Sequence, residues 1–235
     1  IENKILYSYN DITIKPTEIS RIKHRSEVNP FDENGFLPIF ASPMTSVVDE
    51  INFGMFEDNN IIPILPRSSS LEVRLQYIND GRWAAFSLQE FSDIFTKKTE
   101  YDNMHVLIDV ANGHMAEMYD MVSSAKKIHG KHLVVMVGNI ANPETYRIAA
   151  QSGVDYVRCG IGGGDCCITT TLTGIGYPMA SLISDISKVK DSIKSGNPYA
   201  NLPKIVADGN IRGTDDVIKA LALGADYVMI GSLFG

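Results

Sequence analysis

The chain has no long basic run. Its 21 lysines and arginines are outnumbered by 28 aspartates and glutamates, giving a formal charge of −7 and a pI near 5.2. Lys23-His24-Arg25 and Lys97-Lys98 are short and read as solvated loop charges. A nucleic-acid binder ordinarily carries a basic face, so that class is excluded. No apolar run approaches the ~20 residues that span a bilayer, and no secretory signal is visible, so a membrane partner is not expected. Cysteine is scarce. The three present, Cys159, Cys166 and Cys167, are clustered, and the adjacent pair would bridge only with strain. That excludes a disulfide framework and points to a reducing, cytoplasmic setting. The first residue is Ile1 rather than Met.

What the chain does have is a hydrophobic fraction of 44% over 235 residues, enough for a sizeable core. Short β-prone apolar runs recur at Pro38–Met44, Ile61–Pro66, Trp83–Leu88, His105–Val110, Leu133–Val137, Tyr156–Cys159, Lys204–Ala207 and Tyr227–Ile230. Helical periodicity separates most of them. Met115, Met118, Val122 and Ala125 lie on one helix face. Asn142-Pro-Glu reads as a helix start with a capping Asn, and Thr214-Asp-Asp opens another helix. A further helix is expected from about Met179 to Ser195.

The strand starts fall roughly 22 to 28 residues apart, one βα unit each. Only the step from the sixth strand to the seventh is about twice as long. Gly153-Val-Asp-Tyr-Val-Arg-Cys-Gly160 echoes Gly224-Ala-Asp-Tyr-Val-Met-Ile-Gly231 at five of eight positions, as repeated units would. The expected fold is a single (β/α)8 TIM barrel over residues 1–235, favoured over an open sheet by its strand count. The sequence ends at Gly235, shortly after the eighth strand, so the helix that would follow is not in it: either the natural chain continues or the barrel is incomplete.

In such barrels chemistry sits at the C-terminal ends of the strands. Ser42-Pro-Met44, Arg67, Asp109-Val-Ala-Asn-Gly113, Asn139, Asp208-Gly209 and Gly231-Ser232 all fall there. After strand six comes Gly160-Ile-Gly-Gly-Gly-Asp-Cys-Cys-Ile-Thr169. Successive loop N–H groups form a concavity that suits an anion, and their dipoles can activate a loop thiol. Cys159, inside a strand, reads instead as an inert small hydrophobe. Asp109 and Asp208 each have two readings: a carboxylate facing a ligand, or a cap for the next helix.

These residues resemble the family of IMP dehydrogenase and GMP reductase. Tyr9-Asn-Asp-Ile-Thr-Ile-Lys-Pro16, His24-Arg-Ser-Glu-Val28, the glycine–cysteine loop, Ala207-Asp-Gly-Asn-Ile211 and Met229-Ile-Gly-Ser-Leu233 are similar to its motifs, in its order. The resemblance implies a Cys167 nucleophile toward purine C2, with Thr169 near the leaving or attacking group and Asp208 on the ribose. Gly209, Gly231 and Ser232 would contact phosphate, Gly164 and Asp165 would belong to the substrate-binding loop, and Ser42 and Met44 would touch the nucleotide. Asp109 and Asn139 would line the cofactor or catalytic side, Asp109 as a catalytic residue too, and Ala111, Asn112 and Gly113 would line the cofactor side. Carbonyls of Gly162, Gly164 and Cys167 would hold a potassium ion. The implied partners are a purine nucleoside monophosphate and NADPH (or NAD for the dehydrogenase), in a homotetramer.

Asp109-Val-Ala-Asn-Gly113 and Thr173-Gly-Ile-Gly-Tyr-Pro178 look like the reductase, and no regulatory insertion separates strands two and three. Ser42-Pro-Met44 looks more like the dehydrogenase. The expected activity is reductive deamination of GMP to IMP with NADPH through a Cys167 adduct. The dehydrogenase reaction, IMP with NAD to XMP, and a non-catalytic nucleotide binder are the alternatives. Several positions depart from the family's pattern. Asp165 replaces a phosphate-binding serine, Arg67 stands where the reductase has a catalytic lysine, and Thr170 and Gly163 replace a basic residue and a proline. The family's C-terminal flap would follow Gly235.

Overall fold

The computed structural model describes residues 4–161 and 174–235. Eight parallel strands form a closed barrel in chain order, with β8 pairing back to β1. The strands are β1 (Ile39–Ala41), β2 (Ile62–Leu65), β3 (Trp83–Phe86), β4 (Met104–Asp109), β5 (Leu133–Ile140), β6 (Tyr156–Cys159), β7 (Lys204–Asp208) and β8 (Tyr227–Ile230). Seven helices lie between them among the described residues: α1 (Phe53–Asp58), α2 (Leu71–Asn79), α3 (Leu88–Phe95), α4 (Ala116–His129), α5 (Thr145–Gln151), α6 (Met179–Gly196) and α7 (Thr214–Ala222). The barrel reading of the sequence therefore holds. None of these helices is long and apolar enough to cross a membrane.

Side chains alternate along each strand, so every second residue faces the lumen. Phe40, Ile64, Trp83, Ala85, Leu107, Met136, Val206, Tyr227 and Met229 form that inner core. Phe40, Trp83, Tyr156 and Tyr227 meet edge-on or tilted, with ring centroids 5.2–5.9 Å apart. They stand near the strand starts and close the floor, where the Tyr227 hydroxyl donates to Asp32 at 2.9 Å. The other end, where the strands finish, is the mouth of the barrel.

The outward residues of the strands pack under the helices. Met118, Val122 and Ala125 of α4 are fully buried, as their spacing predicts. Ser87 and Glu90 cap α3 reciprocally, which satisfies two of the N–H groups a helix start leaves without partners. One helix start differs from expectation. Asn142 does not cap α5 directly. Its side chain accepts the Glu144 N–H at 2.9 Å and its carbonyl accepts the Thr145 N–H at 3.1 Å, so a separate turn precedes the helix. After β8 the chain turns, and the Phe234 N–H donates to Gly231 at 2.8 Å.

Candidate active site

The lumen-facing register extends past the apolar core by one layer. Two residues beyond Leu107, Met136, Tyr156 and Val206 come Asp109, Gly138, Arg158 and Asp208. Pairing sets Asp109 beside Gly138, and Gly138 beside Arg158. The same alternation that fills the barrel with hydrocarbon thus places two carboxylates and a guanidinium at its mouth. Gly138 gives the arginine its space, because a β-carbon there would lie 2.5 Å from the Arg158 β-carbon.

Arg158 bridges the two acids. Its Nη1 donates to Asp109 Oδ1 at 2.8 Å and its Nε donates to Asp208 Oδ2 at 2.8 Å. The same Asp208 oxygen accepts from Asn139 Nδ2 at 2.7 Å, and that amide also donates to the Gly160 carbonyl at 2.8 Å. Asp109 Oδ2 lies 3.5 Å from Nε of Arg67, which reaches in from the end of β2 and is half exposed. Burial pushes the Arg158 guanidinium down, but Asp208 and Asp109 more than offset it, so its proton affinity rises above the ordinary value. The Arg158 side chain is only 12% exposed, against 26% for Asp109 and 18% for Asp208, so the charges interact in a partly dry setting.

Four of the expected residues therefore meet in one network: Arg67, Asp109, Asn139 and Asp208. Asp109 and Asp208 spend their carboxylates on Arg158 and its neighbours, and neither makes a helix cap. Ser42, Met44 and Gly231 form a second group where β8 meets β1. The Ser42 N–H donates to Ile230 at 2.9 Å, and the Met44 sulfur lies 3.1 Å from where a β-carbon on Gly231 would stand. Gly209 follows directly on Asp208, and Ser232 is exposed at the rim.

On the β4 loop, Ala111 and Asn112 are exposed, whereas Gly113 is buried. The Gly113 N–H donates to Asn139 at 2.9 Å, so it holds the loop against β5. His114 fastens the same loop: Nε2 accepts the Ala141 N–H at 3.2 Å, which leaves Nδ1 to donate to Thr145 Oγ1 at 2.8 Å. Cys159 is buried, and burial, reinforced by Asp208 and Asp226, pushes its thiol up, as its reading as an inert residue requires. Gly162, Gly164, Asp165, Cys167 and Thr169, and with them the expected nucleophile and potassium carbonyls, lie outside the described residues.

Residues 88–235 match the IMP dehydrogenase / GMP reductase domain. The chain is 31% identical over 244 residues to a GMP reductase of Clostridium acetobutylicum, covering 97% of this chain and 70% of that one. The chain belongs to the IMP dehydrogenase / GMP reductase family. A GMP reductase of Exiguobacterium is 32% identical over 242 residues, with 97% and 70% covered. An inosine-5'-monophosphate dehydrogenase of Chlorobaculum parvum is 40% identical over 129 residues, which cover 55% of this chain but 24% of that enzyme. The solved inosine 5'-monophosphate dehydrogenase of Legionella pneumophila superposes with a TM-score of 0.76 at 26% identity, over 98% of this chain and 70% of its own. This is a family of oxidoreductases, and its barrel is the one described here.

Within this family member, Arg158 is the residue that reading the motifs missed. Tyr156–Cys159 looks like an ordinary buried strand, and Arg158 passes as an interruption in it. The available signal was parity. Counting two residues on from Tyr156, as from Leu107 to Asp109 or Val206 to Asp208, places Arg158 in the same mouth layer.

Proposed function

We propose that the chain reduces GMP to IMP with NADPH through a covalent Cys167 adduct at purine C2. The observation that carries this reading is the match to GMP reductases across 97% of the chain. Consistent with it, β2 and β3 are joined by the single helix α2, with no further domain between them.

In this reading GMP lies over the mouth. Asp208 receives the ribose hydroxyls, Gly209, Gly231 and Ser232 receive the phosphate, and Ser42 and Met44 flank the base. The Cys167 thiolate adds to C2, and the amine leaves as ammonia after taking up a proton near Thr169. Hydride then reaches C2, and the thiolate departs with the electron pair of the C–S bond, leaving IMP. Bound reduced nicotinamide supplies that hydride. The chain's own residues fit such a group on one side of the mouth. Ala111 and Asn112 are exposed beside Asp109, while Gly113 and Asn139 fix the loop beneath them. Arg67 and Arg158 orient the Asp109 carboxylate. Arg67 presents a planar, positively charged fork to Asp109, where the reductase's lysine would offer a point charge on a flexible stem. A potassium ion on the Gly162, Gly164 and Cys167 carbonyls, a homotetramer and a cytoplasmic setting complete the reading.

The 40% identity to a dehydrogenase over 129 residues favours a second reading, oxidation of IMP with NAD. Absorbance at 340 nm separates the two. Loss of signal with GMP and NADPH is expected. Gain with IMP and NAD would assign the dehydrogenase instead. Silence in both assays, with measurable nucleotide binding, would leave a non-catalytic binder.

A further inference from the structure

We infer that Arg158 is a positioning residue that couples the nucleotide side of the mouth to the cofactor side, so that the two reactants bind with positive cooperativity. This rests on the function proposed above. It also adds to that function a residue and a property that the motifs do not contain.

The geometry is specific. Asp109 ends β4 and Asp208 ends β7, with β5 and β6 between them. Two like charges would not be drawn together on their own. Arg158 holds both, through two different nitrogens of one rigid plane, each at 2.8 Å. A guanidinium is planar and its donors keep fixed angles, so a carboxylate that shifts at one nitrogen turns the plane and moves the donor at the other. Both ends of the bridge lead onward. Asp109 continues to Arg67 and stands at the head of the exposed Ala111–Asn112 loop. Asp208 continues to Asn139, whose carbonyl carries the Gly113 N–H of that same loop. Asp208 and the cofactor-side loop are thus joined twice, once through Arg158 and once through Asn139. A ligand that draws Asp208 into one orientation sets the loop for the other ligand.

Lysine cannot replace this residue. It offers a point charge on a flexible stem and cannot hold two carboxylates in a fixed mutual orientation. A purely structural arginine would lower stability when removed but would leave the two binding sites independent.

The test uses IMP and NADPH, a pair that undergoes neither the reductase nor the dehydrogenase reaction. Titrate each alone, then each at saturation of the other, following NADPH fluorescence and the heat of IMP binding. Wild type is expected to bind each ligand at least about 5-fold tighter in the presence of the other, by the same factor in both directions. Arg158→Lys and Asp109→Asn are each expected to bring that factor close to one. Melting curves and circular dichroism verify that each variant is folded, and Asp109→Asn, which is isosteric, serves if Arg158→Lys does not fold. A factor of one in wild type overturns the inference, as does full coupling in both folded variants. If IMP binds and NADPH binds independently of it, the coupling alone fails and the proposed function stands. If no purine monophosphate binds, both fail.

Discussion

Arg158 fills the space that any side chain at Gly138 would need. A β-carbon at Gly138 would lie 2.5 Å from both the β-carbon and the carbonyl oxygen of Arg158. These are strand atoms, which cannot swing aside as the tip of a flexible side chain can. Gly138→Ala is therefore expected to push β6 away from β5, cost about 1–3 kcal/mol in stability and weaken nucleotide binding. Thermal melting and an IMP titration would measure both effects. A variant as stable as wild type would mean that the two strands have slack at this point.

The two kinds of cysteine should separate cleanly. Cys167→Ala is expected to lower turnover at least about 1,000-fold while leaving nucleotide affinity within a few-fold of wild type. Cys159→Ala removes a buried thiol that is held protonated. It should change stability on the order of 1 kcal/mol and leave the rate law intact. Steady-state assays at 340 nm decide this, and an unchanged rate in Cys167→Ala would remove the covalent mechanism.

In the sequence, Asp165 stands at the position where the resemblance expects a phosphate-binding serine; if its carboxylate faces the phosphate, binding is weakened. Like charges at contact repel by several kcal/mol at an effective dielectric of ~20. Asp165→Ser should therefore tighten GMP at least several-fold, and most at low ionic strength. Calorimetric titration at two salt concentrations reads this directly. Equal affinities in wild type and variant would show that the carboxylate does not face the phosphate.

Acid sensitivity of the fold should trace in part to Glu90. The buried Arg74 donates to it at 2.6 and 3.1 Å, and the Ser87 N–H donates at 2.8 Å. These bonds, Arg74 first, pull its carboxyl from an ordinary 4.5 down to about 2 against the opposing effect of burial. A carboxyl depressed on folding stabilises the fold above its unfolded pKa. That contribution fades as pH falls from about 4.5 through about 2, because the unfolded chain then binds the proton first. Glu90→Gln is expected to cost about 2 kcal/mol at neutral pH. The gap between variant and wild type should shrink across that acid window. Urea melts at pH 7, 4 and 2.5 would check it, and a gap independent of pH would assign the loss to packing.

Much of this molecule was legible from residue pattern. Tyr156–Cys159 and Tyr227–Ile230 coincide with the expected strands, and the rest shift by at most a few residues at their ends. Period-two runs separated by helical faces report burial directly, and burial depends mainly on local alternation. Asp109, Asn139 and Asp208 were found as mouth residues because each ends a recognisable strand. Arg67 was found by position, but its reach to Asp109 across a neighbouring strand was not. The start of α5 was misplaced because Asn142 can cap a turn as readily as a helix, and a short polar side chain does not distinguish the two in sequence.

By itself, the order of residues determined eight strands, their lumen-facing parity and the rim on which polar groups collect, since each follows from short-range periodicity. Tertiary structure alone decided that Asp109 and Asp208, 99 positions apart in the chain, share one guanidinium. That pairing depends on barrel closure, on strand register and on an absent side chain at Gly138. These are relations between segments distant in sequence, and no local pattern of residues encodes the distance between them.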